Sequence, residues 1–220
     1  MTRIFLIRHA ESEGNTYRRA HGHFNGQITE NGHKQINQLR DRFTNEQIDV
    51  IYSSDLDRTC TTATALSEPR NLDINKTEKL REVNLGVWEN VPWADLEANE
   101  PKMLKCFNWD PAKWSVEGSE SYESVQNRML ACINEIGKKH DGETVAVFSH
   151  GFAIRALLCK LLNLESNNTL PYCDNTAVAL FIYDNGLISI EYHCDNSHLT
   201  DKTSTLARQD WWREIYEKIE

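Results

Sequence analysis

Apolar residues along the chain fall into short blocks, and the spacing within the blocks is of two kinds. Ile4-Phe5-Leu6-Ile7 is too short for a helix and reads as a buried strand over residues 3–7; Ile48–Tyr52 and Thr144–Phe148 read the same way. Between these blocks, apolar positions recur every three or four residues. Ile36, Leu39 and Phe43 follow Thr29, a side chain suited to cap a helix start. Leu56, Cys60 and Ala63 form a second stripe, and Val125, Met129, Cys132 and Ile136 a third that starts near Ser121. Residues 151–162 are apolar nearly all round, as in a buried helix. A short strand is expected near Leu72–Ile74. Residues 178–183 and 187–192 flank Asp184-Asn185-Gly186, a hairpin signal. Residues 206–219 read as a C-terminal helix with Trp212, Ile215 and Ile219 on one side.

Strands alternating with helices predict an α/β fold, a three-layer α/β/α sandwich with a mostly parallel central sheet and the hairpin as its antiparallel edge. With 220 residues, no repeat and no proline-rich linker, one domain over 1–220 is expected. Residues 84–118 interrupt the rhythm. They hold Trp88, Trp93, Trp109 and Trp114 without a long periodic stretch, and read as an insertion or lid over the rim of the sheet. Packing of that insertion is the ordinary role for its tryptophans; an apolar wall beside a ligand is the alternative.

The 33 acidic residues against 24 Lys and Arg leave a net charge of −9, which disfavours nucleic acid and anionic membrane surfaces as partners. The first apolar block is too short for a signal peptide or a membrane span. Six cysteines without a C-x-x-C pair are expected as reduced, mostly buried thiols of a cytoplasmic protein.

Candidate chemistry sits where the strands end. In open α/β sheets, ligands bind beyond the carboxyl ends of the strands. The first strand is followed by Arg8 and His9, the second by Ser53-Ser54-Asp55-Leu56-Asp57-Arg58, the third clear one by Ser149-His150-Gly151. Singly, each has a plain structural reading: Arg8 and Arg58 as solvated charges, His9 and His150 as local caps. Parallel strands would instead bring all four to one edge. Guanidinium forks suit phosphate oxygens, and imidazoles exchange protons near neutral pH.

These segments resemble the histidine phosphatase (phosphoglycerate mutase-like) superfamily. The resemblance runs through Ile4–Asn15, Ile28–Gln35, Tyr52–Thr59, Leu80–Glu89 and Phe148–Gly151, in family order, and Asp195-Asn196-Ser197-His198-Leu199 also matches. It implies a phosphoric monoester hydrolase of the histidine acid phosphatase type. His9 would be the nucleophile that forms a phosphohistidine, and Glu82 the proton donor. Arg8, Arg58 and a cationic His150 would hold the phosphoryl group, with Asn15, Gly151 and Asn25 as further phosphate or substrate contacts. Asn15 and Glu82 also have bland readings, as a turn residue and a surface charge.

Departures from the family pattern lie in His21-Gly22-His23-Phe24-Asn25-Gly26-Gln27, where Asn25 replaces the usual acid, and at Asn90, which replaces a glycine and is expected to alter the turn. His21 and His23 could be read as a metal pair, but no carboxylate or third histidine lies close in sequence, so no metal and no cofactor is expected. The substrate implied is a small-molecule phosphate ester: a sugar phosphate, phosphoglycerate, phosphoserine, α-ribazole phosphate or nucleotide. Two alternatives stay open, a cofactor-dependent phosphoglycerate mutase and a non-catalytic module that binds a phosphometabolite. The absence of arginine between Arg81 and Arg128 favours a phosphatase over the mutase. The missing G-x-x-x-x-G-K-[ST] and G-x-G-x-x-G motifs disfavour a nucleotide kinase or dehydrogenase. The tail helix is expected to dock on its own domain, with a homodimer contact as the alternative.

Overall fold

The computed structural model describes residues 1–164 and 170–209. Six strands form one sheet in the order β3-β2-β4-β1-β5-β6. They are β1 (Thr2–Arg8), β2 (Val50–Ser53), β3 (Ile74–Lys76), β4 (Thr144–Ser149), β5 (Val178–Asp184) and β6 (Leu187–Asp195). β1, β2, β3 and β4 pair in parallel, whereas β5 and β6 add an antiparallel edge. The hairpin turn uses positive φ at both Asn185 and Gly186, the backbone hand that matches the twist of the flanking strands.

The central strands divide their side chains between two cores, as the two-residue period of a strand requires. Ile4, Leu6, Val145 and Val147 face one core, while Phe5, Ile7, Ala146 and Phe148 face the other. Helix α2 (Glu30–Arg42) and helix α3 (Asp57–Arg70), which follow the four-residue α1 (Glu13–Thr16), cover the second face with Ile36, Leu39, Ala63 and Leu66. The long α6 (Tyr122–Lys139) and α7 (Gly151–Leu161) cover the first with Val125, Met129, Ala153 and Leu157. The helix starts follow the sequence reading: Thr29, the expected cap, accepts from the Gly32 N–H at 3.0 Å, and Ser121, where a helix was expected to begin, accepts from the Ser124 N–H at 3.2 Å.

Residues 84–118 are more regular than their sequence pattern predicts. They contain two helices, α4 (Trp93–Asn99) and α5 (Pro101–Trp109). Each is too short to display a full amphipathic repeat, which is why the spacing missed them. Trp88 and Trp114 are buried and pack on Phe107, and Phe107 in turn stacks on Phe152 of α7 at 4.9 Å. Asn90 keeps a left-handed backbone, φ 60°, which asparagine tolerates better than most side chains. Its side-chain oxygen accepts from Arg19 Nε at 2.7 Å, which tethers the turn. The predicted helix at 206–219 lies largely outside the described residues; within them, 205–208 form a turn.

One cysteine expectation is corrected. Cys173 and Cys194 form a disulfide, whereas Cys60, Cys106, Cys132 and Cys159 are not disulfide-bonded. The loop entering β5 and the end of β6 bring two residues 21 apart in sequence to a Cα separation of 4.7 Å, a proximity that spacing along the chain does not reveal.

Gly86 closes the start of the 84–118 segment with φ +56°, and an added methyl would overlap the Glu117 carbonyl. Gly142 has φ +84° with open space around it. Gly86→Ala is expected to cost about 2 kcal/mol or more, against about 1 kcal/mol for Gly142→Ala, in urea unfolding. Equal losses would argue against steric closure at Gly86.

Candidate active site

The register of the parallel strands aligns their carboxyl ends. Arg8 pairs with Ser149, and Ser53 with Phe148. The ladder runs one residue further, with the His9 N–H donating to Ser149 O and the Ser54 N–H to Phe148 O, both at 3.0 Å. His9 and His150 therefore leave neighbouring strands together, and their rings lie 5.2 Å apart.

His9 is nearly fully buried. Its Nδ1 lies 2.7 Å from the Ala10 carbonyl, which can only accept, so Nδ1 carries the hydrogen and Nε2 keeps its lone pair. Burial, with Arg58 and then Arg8 adding to it, pushes the His9 pKa well below the ordinary imidazole value. The ring is a neutral base with a defined tautomer. His150 is completely buried and shifted the same way, first by burial and then by Arg58 and His9. Burial and the neighbouring Arg58 thus disfavour the cationic form that the resemblance implies for His150. Ser54 Oγ accepts from the Leu56 N–H at 3.3 Å and lies 3.0 Å from His150 Nε2. Its own hydrogen can go to Nε2, which puts the His150 proton on Nδ1.

Arg58 enters from the first turn of α3 and is almost completely buried. Its Nη1 donates to Phe24 O at 2.9 Å and its Nη2 to Gly22 O at 2.7 Å. Burial lowers its pKa to about 10, which leaves it cationic at neutral pH. Arg8 donates from Nη1 to Cys173 O at 2.6 Å. Gly151 permits the close approach of Arg8 to the start of α7; a Cβ there would sit 3.1 Å from Arg8 Nε. Among the described residues, Arg8 Nε, Arg58 Nε, His150 Nδ1 and Asn175 Oδ1 are buried polar atoms without a hydrogen-bond partner. Unpaired buried donors on adjacent cations are costly, and a bound anion removes the cost.

Glu82 is held from both sides. Its carbonyl accepts from Arg128 Nη2 at 2.9 Å and lies 2.8 Å from His23 Nε2. Its carboxylate accepts from the N–H groups of Val83, Phe152 and Ala153 at 2.9 to 3.1 Å, two of them in the first turn of α7. Asn15 accepts at Oδ1 from the Ser12 N–H at 3.0 Å and from Asn175 Nδ2 at 3.4 Å, which turns its Nδ2 donor to the other side.

Arg8, His9, Asn15, Arg58, Glu82 and Gly151 all line one cavity of about 470 Å³; His150 is not in that lining, and its ring lies 5.2 Å from that of His9. Asn25 does not reach that lining. Its side-chain oxygen accepts from the Asp57 N–H at 3.1 Å and caps the start of α3, so the contact predicted for it is absent from the described geometry.

A family model described as the histidine phosphatase superfamily, branch 1, matches residues 4–196. The chain belongs to that superfamily. It is 34% identical over 181 residues to phosphoserine phosphatase 1 of Hydrogenobacter thermophilus, covering 82% of this chain and 86% of that one. It is 32% identical over 211 residues to the probable phosphoglycerate mutase GpmB of Proteus mirabilis, covering 91% and 96%. The solved structure of Bacillus stearothermophilus YhfR superposes with a TM-score of 0.86 at 28% identity, covering 90% of this chain and 99% of that one.

Several residues of this histidine phosphatase site were not singled out from sequence. Asn175 donates to the His9 carbonyl at 2.9 Å from the loop that enters β5. Arg18, Arg19, Arg155, Phe107 and Phe152 line the outer cavity. The tryptophans divide: Trp93 and Trp109 face the cavity, whereas Trp88 and Trp114 pack the insertion. His21 also lines the cavity, in space left by Gly14 and Gly26, and burial with Arg58 and Arg19 lowers its pKa to about 4. His21 and the tryptophans were named from sequence for other reasons; of the rest, Phe152 sits beside a named residue, Gly151.

The depressed histidines carry a stability signature. In the unfolded chain His9 and His150 protonate near pH 6.5, while in the folded chain they resist until well below it. In that window the unfolded chain binds more protons, so stability falls as pH drops below about 6.5. The unfolding free energy of His9→Ala should decline less steeply than that of the parent between about pH 6.5 and 5. Parallel profiles would show that His9 is not held neutral.

Proposed function

We propose that this chain is a phosphomonoesterase of the histidine acid phosphatase type, which hydrolyses a small phosphorylated metabolite of the cytoplasm through a phosphohistidine. The observation that carries the reading is the set of unpartnered donors on Arg8, Arg58 and His150 around a neutral His9 whose Nε2 is free. A phosphate dianion satisfies that set, and the free lone pair is the atom that attacks phosphorus. The positive groups hold the equatorial oxygens, where the transferring phosphoryl group carries its charge. Asn15 adds a donor. Glu82, when protonated, gives its proton to the leaving oxygen and then takes one from the attacking water. No part of this needs a metal or an organic cofactor. Similarity to a phosphoserine phosphatase supports hydrolysis. No arginine lies between Arg81 and Arg128, which sets the chain apart from the cofactor-dependent mutases it resembles.

His9→Ala should abolish both turnover and acid-labile labelling from a phosphorylated substrate; retained labelling would exclude His9 as nucleophile. Glu82→Gln should slow an alkyl phosphate by about 10²–10⁴ and p-nitrophenyl phosphate much less, because nitrophenolate leaves without a proton. Equal losses on the two esters would remove the acid role. Interconversion of 3- and 2-phosphoglycerate without hydrolysis would make the chain a mutase, and binding without turnover would make it a sensor.

A further inference from the structure

Arg8 is held by the loop that carries Cys173, and that loop is itself tied by a disulfide. Cys173 O accepts from Arg8 Nη1 at 2.6 Å. Two residues on, Asn175 donates to the His9 carbonyl at 2.9 Å and to Asn15 Oδ1 at 3.4 Å. Between them, Asp174 is buried and accepts from Ser204 Oγ and from the Thr205 N–H. Cys173 and Asn175 thus brace the arginine, the nucleophilic histidine and the asparagine of the proposed site, while Asp174 between them ties the loop to residues 204–205.

The other end of the bond is Cys194, near the end of β6, where the backbone takes φ 56°. The two sulfurs and a nitrogen of His193 lie within 4.8 Å of one another, and His193 Nδ1 is buried without a partner among the described residues. Both cysteines are half-buried, so a small thiol can approach, and both line a narrow cleft together with Arg8. A cation beside a cysteine favours the thiolate, the form that exchanges, and the imidazole offers a place for the thiol proton.

We propose that Cys173 and Cys194 are a reversible thiol–disulfide site that sets the position of Arg8 and so controls how tightly the phosphate site binds its anion. This rests on the phosphate-site reading above. The oxidant is a low-molecular-weight disulfide such as oxidised glutathione. One protein thiolate attacks its S–S bond and releases one glutathione thiolate; the second protein thiolate attacks the mixed disulfide and releases the other. The S–S bond of glutathione is replaced by Cys173–Cys194, and the two cysteine protons end on two glutathione thiols. The oxidised bond fixes the Cys173 carbonyl against Arg8 Nη1. Reduction frees the loop from β6 and loosens that hold. Cys173 is a positioning residue here, since it reaches substrate only through Arg8.

The test is equilibrium binding of inorganic phosphate to the full chain, in chelator, after incubation with oxidised glutathione or with dithiothreitol, with the state of the pair read by mass. The Kd for phosphate should rise about fivefold or more on reduction and recover on reoxidation. The KM of p-nitrophenyl phosphate should follow it, with kcat changing less. The double variant Cys173→Ser/Cys194→Ser should sit at the reduced value under both conditions. Equal affinities with the bond verified, a pair that stays reduced in oxidised glutathione, or a redox response that persists in the double variant would each overturn the proposal. So would an affinity change that needs added Zn²⁺, which would make the three side chains a metal site instead. Phosphate binding in neither state would bring down the phosphate-site reading, and the redox proposal with it.

Discussion

Two guanidiniums and two imidazoles withdrawn from water at one edge of a sheet are the constraint around which the site is organised. Arg8 and Arg58 are cationic and face no carboxylate at hydrogen-bond distance among the described contacts; their Nη donors go to backbone carbonyls. Carbonyls partly satisfy such groups without cancelling their charge, so the positive potential is left for a ligand. The same potential, with burial, disfavours the cationic form of His9 and His150. Nucleophilicity and anion binding therefore arise from one arrangement: the cations that would hold the phosphate also keep the attacking nitrogen unprotonated.

Much of the surrounding architecture holds that arrangement still. The parallel pairing of β4 with β1 and β2 levels the strand ends. Buried apolar residues on both faces fix the register, because a one-residue slip would exchange the two cores. The loop around residue 22 supplies carbonyls to Arg58, and α7 offers its N-terminal N–H groups to Glu82. The segment 84–118 then builds the outer wall. Phe107, stacked on Phe152, joins that wall to the helix beginning at Gly151, so the outer wall and the strand-end cluster line one cavity.

The strand-end clusters Arg8-His9, Arg58 and Ser149-His150-Gly151 were legible because each is local: a short apolar run followed at once by chemistry-bearing side chains. The helix cap at Thr29 and the helix start near Ser121 were legible for the same reason. Asn25 shows the limit. Its place in the loop pointed to the ligand, yet the chain turns its oxygen to the Asp57 N–H, since an exposed helix start competes for any nearby acceptor. Asn175 shows the converse: an unremarkable loop amide in sequence, it becomes a brace for His9 across 166 residues.

Amino-acid order alone carried the alternation of strands and helices, the acidic balance and the candidate residues at the strand ends, since these depend on period and side-chain chemistry within a few residues. Three-dimensional folding settled the rest: the burial that disfavours a cationic His150, the pairing of Cys173 with Cys194, and which tryptophans face the cavity. Each of these depends on burial or on distance between segments far apart in the chain, and neither quantity exists until the layers have packed.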